Sequence, residues 1–210
     1  MSVMATLDPL DAGEIRVFGM TPADHDQRTE IRRRVGYLPQ VLGHQPGMRL
    51  LDFVEYAAWL KRVERSELRK RSLEALSQVG LADRSRDRLR TLSGGGLQRA
   101  GLAASLVHDP SLALLDEPTS GLDPQQRVVL RSILRARGAR GSVVLSTHNV
   151  EDISLTCDRV LVIAGGQLVF TGSPRELEAA GHSRKLVKGT GLSGLSALER
   201  GFEAVVERQT

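Results

Sequence analysis

The chain has 210 residues, 40% of them hydrophobic, enough for one domain with a sizeable core; a peptide-like or disordered molecule is excluded. Its longest apolar stretches, such as 160–164, stop well short of the roughly 18 residues a membrane-spanning helix needs. The net charge of +4 comes from basic residues dispersed among acids, as in "RVERSELRKRSLEAL", and aromatics that would stack on bases make up 3%, so no nucleic-acid partner is expected.

No basic segment followed by an apolar core and a small-residue cleavage site opens the chain, and its one cysteine, Cys157, cannot form an internal disulfide. Both point to the cytoplasm. "GEIRVFG" (13–19) and "RVGYLPQ" (34–40) read as short strands with a helix between them over 28–34. From Leu50 to Gly80 apolar residues recur at helical spacing, first Leu50, Val54, Ala57 and Leu60, then Leu68, Leu73, Leu76 and Val79, which predicts two helices ended by the glycine. A third helix is expected over 96–108, with Leu97, Ala100, Ala104 and Val107 on one face and "DP" as its stop.

Leu112 to Leu115 is continuously apolar, as in a strand covered on both faces of a parallel sheet, and "SVVLSTH" (142–148) repeats the pattern after a helix over 125–137. The alternation is βαβ. "RVLVIAGGQLVFTG" (159–172) reads as a hairpin around Gly165 and Gly166, followed by a helix opening at Ser173 and Pro174. Residues 185–194 are poorly patterned and read as loop.

The chemistry begins at Ser93, Gly94 and Gly95. Glycines ahead of a helix let the backbone approach a ligand closely, and the helix amino terminus offers free N–H groups to an anion; alone, such a turn is more often only a turn. Asp116 and Glu117 stand where the strand "LALLD" emerges, and ligands of parallel sheets gather at strand carboxyl ends. Two acids there either solvate a strand end or hold Mg²⁺ and orient an attacking water. His148 follows a second apolar strand and Gln40 ends the first, each an ordinary surface residue by itself and each able to reach a phosphate or a water from that edge.

In chain order, "YLPQ", "LSGGGLQR", "LALLDEPTSGLD" and "LSTH" resemble the Q-loop, signature, Walker B with D-loop, and H-loop of ABC-transporter ATP-binding subunits, over about residues 4–207. The match is nearest to bacterial single-cassette exporters of drugs and small molecules, whose chains end in a helix like "LERGFEAVV". The resemblance implies an α/β fold: a P-loop NTPase-like parallel-sheet core over 1–49 and 90–180, an inserted helical subdomain over 50–89 whose signature helix runs on to about 108, and a tail over 181–210 with a short helix. It implies ATP and Mg²⁺ as cofactors. Gln40 senses Mg²⁺ and water, Asp116 holds Mg²⁺, Glu117 is the general base and His148 the switch histidine; Ser93, Gly94 and Gly95 contact a γ-phosphate, and Asp123 crosses a dimer of cassettes. It implies as partners a second cassette, identical or not, and transmembrane permease subunits that hold the protein on the inner face of the membrane.

Gly96 stands where the family signature carries glutamine or methionine, at a cost near the helix start of roughly 0.5–1 kcal/mol relative to alanine. A larger departure is that the 210 residues contain no GxxxxGK[ST] loop: "GTGLSGLS" (189–196) imitates the spacing with Leu195 in place of the lysine. Residues 1–19 resemble the family segment just after the Walker A helix, with 1–7 its last turns, so the first strands and Walker A are expected upstream. Four missing hydrogen bonds to a phosphate, at about 1.5–3 kcal/mol each, remove about 6 kcal/mol or more, over four decades of affinity. Three readings follow: an ATPase whose amino terminus lies upstream and whose chain here is inactive alone; a non-catalytic cassette lending its signature to a complete partner; and a soluble ABC-type ATPase of DNA repair or translation.

Overall fold

The computed structural model describes residues 1–182 and 196–207. The expected loop over 185–194, and all but Ser196 of "GTGLSGLS", lie outside the described residues. Contacts divide the chain into a unit of Met1–Ser146 and a second from Thr147 onward.

The first unit holds a three-stranded parallel sheet of β1 (Val35–Leu38), β2 (Leu112–Asp116) and β3 (Ser142–Ser146), with β2 in the centre. Leu38 pairs with Leu115, and Asp116 with Ser146. Successive side chains of a strand point to opposite faces. Ala113 and Leu115 accordingly join a core with α2 (Leu50–Leu60), α3 (Leu68–Gln78), α4 (Gly94–Leu106) and α5 (Pro124–Gly138), while Leu114 joins a second core with Ile31 of α1 (His25–Arg34). The continuous apolar run of β2 is the mark of this two-sided burial. β3 differs from the buried strand expected of it: among the described residues it ends the sheet, paired on one side with β2, and Val144 is 36% exposed.

Side chains set the helix boundaries. Asp24 accepts from the Gln27 N–H and starts α1 three residues before the expected position. Ser93 accepts from the Gly96 N–H at 3.2 Å, so α4 begins at Gly94, two residues early, its cap offsetting the weak helix propensity of three glycines. Ala100 and Val107 are buried on the expected face of α4, with Leu97 and Ala104 partly so, but burial extends to Gly101, Leu102, Ala103 and Ser105.

The strand expected over 13–19 does not form. Val17 and Met20 exchange both backbone hydrogen bonds around Phe18 and Gly19, at φ 55° and 75°, and the Arg34 guanidinium lies 3.9 Å over the Phe18 ring. A tight turn of this kind leaves no length to pair. Over 1–7, Leu7 N–H reaches Ser2 O and Thr6 N–H reaches Val3 O, with Thr6 at φ 60°, the bonding of a helix carboxyl end.

In the second unit, α6 (Val150–Thr156) precedes the hairpin of β4 (Val160–Ala164) and β5 (Gln167–Gly172), which turns at Gly165 and Gly166 with φ 54° and 79° as "AGGQ" predicts. Val160 and Val162 pack on Leu177 of α7 (Pro174–His182) and on Leu198 and Val205 of α8 (Ala197–Val206). Serine–glutamate capping boxes start both helices, Ser173 with Glu176 and Ser196 with Glu199. The alternate residues Leu161 and Ile163, with Leu168, face outward. Among the described residues no helix is long and apolar enough to cross a membrane.

Candidate functional site

The carboxyl edge of the parallel sheet gathers most of the predicted residues. Asp116 is the last residue of β2. Leu38 lies opposite Leu115, so the chain leaves β1 through Pro39 and exposed Gln40 at the level of Asp116. Tyr37 is drawn into the same electrostatic surroundings: burial, and then the negative charges of Asp116 and Asp8, raise its phenol above the usual range.

Ser146 ends β3 directly beside Asp116 and donates its hydroxyl to the Asp116 carboxylate. The same Ser146 oxygen accepts the Glu117 N–H at 3.2 Å, and so does the Ser146 carbonyl. Glu117 has φ 48°, a left-handed conformation that costs a residue with a Cβ roughly 1–2 kcal/mol. Pro118 follows, and the Ser120 N–H donates to the Glu117 carbonyl at 3.0 Å, closing a turn that redirects the chain toward α5.

The serine–glycine turn is built against this connection. A Cβ on Gly95 would meet Gln126 Oε1 at 2.6 Å and Gly121 O at 3.1 Å, so a side chain there would displace the Gln126 amide and press on the 121–122 backbone; glycine lets the start of α4 lie close on residues 121–122. Gly95 is buried while Ser93 and Gly94 stay exposed beside it, with the amino-terminal N–H groups of α4 behind them. Asp123 caps α5, accepting the Gln126 N–H at 2.9 Å. A loop that comes off a sheet edge and caps the next helix holds its carboxylate in one place.

His148 falls in the second unit, exposed, two residues beyond β3 and next to Asn149, which caps α6. The remaining site residues belong to the first unit.

The donor set suits a hard cation shared with a phosphate. Mg²⁺ keeps several waters and takes one or two protein oxygens in addition to substrate phosphates. Asp116 and Gln40 offer such oxygens at one edge, and among the described residues no cluster of three or more His, Cys, Asp or Glu forms a self-sufficient cage. An anion is suited by the amino terminus of α4, where the helix dipole and unpaired N–H groups coincide.

Two contributors escaped sequence reasoning. Ser146 is legible only once β2 and β3 are set in register. Gln98, buried in α4, donates its amide to the Glu117 carbonyl at 3.1 Å, a contact between residues 19 apart that no local pattern announces.

The family model for ABC transporters matches residues 1–120. The chain is 29% identical to the linearmycin resistance ATP-binding protein of Bacillus subtilis, over 84% of this chain and 57% of that protein. It is 35% identical to the daunorubicin/doxorubicin resistance ATP-binding protein of Streptomyces peucetius, over 85% and 54%. It is 33% identical to a methionine import ATP-binding protein of Acinetobacter baylyi, over 81% and 50%. The chain thus spans about half the length of the curated relatives it matches. Among solved structures it superposes on an ATP-binding subunit of an ABC transporter with TM-score 0.79 at 23% identity, covering 97% of this chain and 80% of that one. A dimeric ATP-binding cassette in a post-hydrolysis state with ADP and Pi gives TM-score 0.74 at 25% identity, covering 82% and 78%.

Proposed function

The chain belongs to the ABC transporter family, and on that premise we propose that it is an ATP-binding and ATP-hydrolysing cassette that powers transport through separate permease subunits, held by them at the inner face of the membrane. The observation that carries this reading is the packing of Gly95 on Gly121 and Leu122, which joins the serine–glycine turn to the strand end bearing Asp116 and Glu117. ATP bound with Mg²⁺ supplies the reactive phosphoanhydride. Asp116 and Gln40 would hold the Mg²⁺ of a bound nucleotide and Glu117 would accept the proton of the attacking water, while His148 carries the switch role that the family resemblance implies for it. Ser93, Gly94 and Gly95 serve a phosphate held by a second cassette, and Asp123 lies at that junction. Residues 50–89 act as the helical subdomain on the sheet core.

Similarity to antibiotic-resistance proteins favours drug or small-molecule export as the transport. Because the 210 residues contain no GxxxxGK[ST] sequence, they hold the signature and Walker B parts of a site without the loop that cradles phosphates, and are inactive alone. One feature also favours signature donation to a complete partner: Ser93 and Gly94 remain exposed on a formed, capped helix end.

The test is ATP-dependent association with a full-length cassette of this family, followed by light scattering. Association should require ATP, weaken with Ser93→Arg and tolerate Glu117→Gln in this chain. Equal association with and without ATP, or indifference to Ser93→Arg, removes the signature-donor reading.

A further inference from the structure

We propose that Gln98 is a positioning residue that locks the backbone of Glu117 to α4, so that the serine–glycine turn and the carboxylate pair move as one body. The meaning of those two parts rests on the function proposed above; the lock itself does not.

Glu117 is the place to look because its backbone is strained. A non-glycine residue at φ 48° persists only where its surroundings over-determine it. Four hydrogen bonds to its backbone contribute here. The Glu117 N–H is shared between the Ser146 carbonyl and hydroxyl, both at 3.2 Å. Its carbonyl receives the Ser120 N–H at 3.0 Å and the Gln98 side-chain amide at 3.1 Å. Three of these come from the neighbouring strand end or the turn itself. The Gln98 bond reaches it from α4, across 19 residues of sequence.

The side chain is built for that task. Gln98 is 9% exposed, on a helix whose neighbouring positions Ala100, Gly101 and Leu102 are buried. An amide in such a place is costly unless it finds a partner, and the Glu117 carbonyl is the partner it finds. Gly95, nearly one helical turn earlier, makes the second contact by lying against Gly121 and Leu122. The start of α4 therefore grips the connection after β2 at two points, one by close packing and one by a directed hydrogen bond. While both hold, movement of the turn is passed on to Glu117 through these two contacts.

The experiment uses the chain without nucleotide, with amide hydrogen exchange read by mass spectrometry. Gln98→Met keeps the length and loses the donor; Gln98→Glu keeps the shape and donates only when protonated. At pH 8 both variants should speed exchange over 119–122 and at Gly96 and Leu97 by about two- to tenfold, the factor for one net hydrogen bond, with exchange in α5 unchanged. At pH 5, after correction for intrinsic rates and against wild type at the same pH, Gln98→Glu should return toward wild type while Gln98→Met does not. A general packing role moves both variants alike at both pH values. Unchanged exchange over 119–122 in Gln98→Met overturns the lock, a Gln98→Glu response without pH dependence overturns the hydrogen bond as its cause, and loosening confined to 119–122 overturns the coupling to the turn. No ATP enters these measurements, so failure of the ATPase reading leaves the result standing.

Discussion

Ser146 and Asp116 end adjacent parallel strands in register, and the serine hydroxyl donates to the aspartate carboxylate while its oxygen accepts the Glu117 N–H. One hydroxyl thus fixes both acids at the sheet edge, the first through its side chain and the second through its backbone. Ser146→Ala should remove a charge-assisted bond and leave the Glu117 N–H only the Ser146 carbonyl. The site is partly exposed, so the expected loss is about 1 kcal/mol, or about 2–4 °C in Tm for a domain of this size. Ser146→Thr keeps the hydroxyl and should recover most of it. Calorimetry of the three forms checks this; an alanine variant as stable as wild type breaks the assignment.

What the sequence discloses here follows from how local each cause is. β2 is legible because a central strand covered on both faces shows an unbroken apolar run, and its end is marked by Asp116, Glu117 and Pro118. α2 and α3 follow from 3.6-residue spacing, and the hairpin from two glycines at positive φ. Edge status is not local: Ser142–Ser146 is as apolar as a covered strand, yet its exposure depends on which strands lie beside it. Residues 13–19 fail as a strand for a related reason, since two residues, Phe18 and Gly19, close the chain into a turn. Ser146 and Gln98 needed register and packing before their roles could be read.

His108 follows the carboxyl end of α4, and both ring nitrogens are buried. Burial, then the nearby Lys61 ammonium and more weakly Arg137, lower its pKa to about 4, against the opposing pull of the Val35 backbone and, less, of Asp109. A depressed histidine is neutral in the folded chain while the unfolded chain takes up its proton near pH 6.5. The unfolded state then binds more protons between those values, so stability falls as pH drops from about 6.5 toward 4, by roughly 3 kcal/mol at most. His108→Gln should flatten that part of the curve. Urea unfolding of both forms at pH 7 and pH 4.5 measures it, and parallel curves exclude His108 as the source.

Leu161, Ile163 and Leu168 are 62%, 69% and 58% exposed on the outer face of the hairpin, and Val144 lies on the end strand of the parallel sheet. Exposed apolar side chains of this kind on strands that end their sheets, among the described residues, favour association between copies. The double substitution Leu161→Lys with Ile163→Lys should reduce light scattering of the concentrated chain severalfold with little change in Tm, because neither side chain belongs to the packed face of Val160 and Val162. Val144→Lys should act in the same direction. Loss of folding in the hairpin variant shows that the outer face is packed in solution.

Nucleotide binding in this family depends on a loop that cradles the phosphates. Several backbone N–H groups and a lysine normally seat the phosphates of a bound nucleotide in such loops, and the 210 residues carry no sequence of that kind. With about 6 kcal/mol missing, micromolar affinity becomes weaker than ten millimolar. Titration calorimetry of the chain with millimolar Mg·ATP should show no binding, and phosphate release should stay at background. Glu117→Gln should change neither, because a base without a seated phosphate has nothing to act upon. Adding a segment with an apolar strand and a GxxxxGK[ST] loop ahead of Met1 should restore both activities, and Glu117→Gln should then abolish hydrolysis while sparing binding. Ordinary cassette rates from the unextended chain, lost on Glu117→Gln, refute the weight placed on the loop.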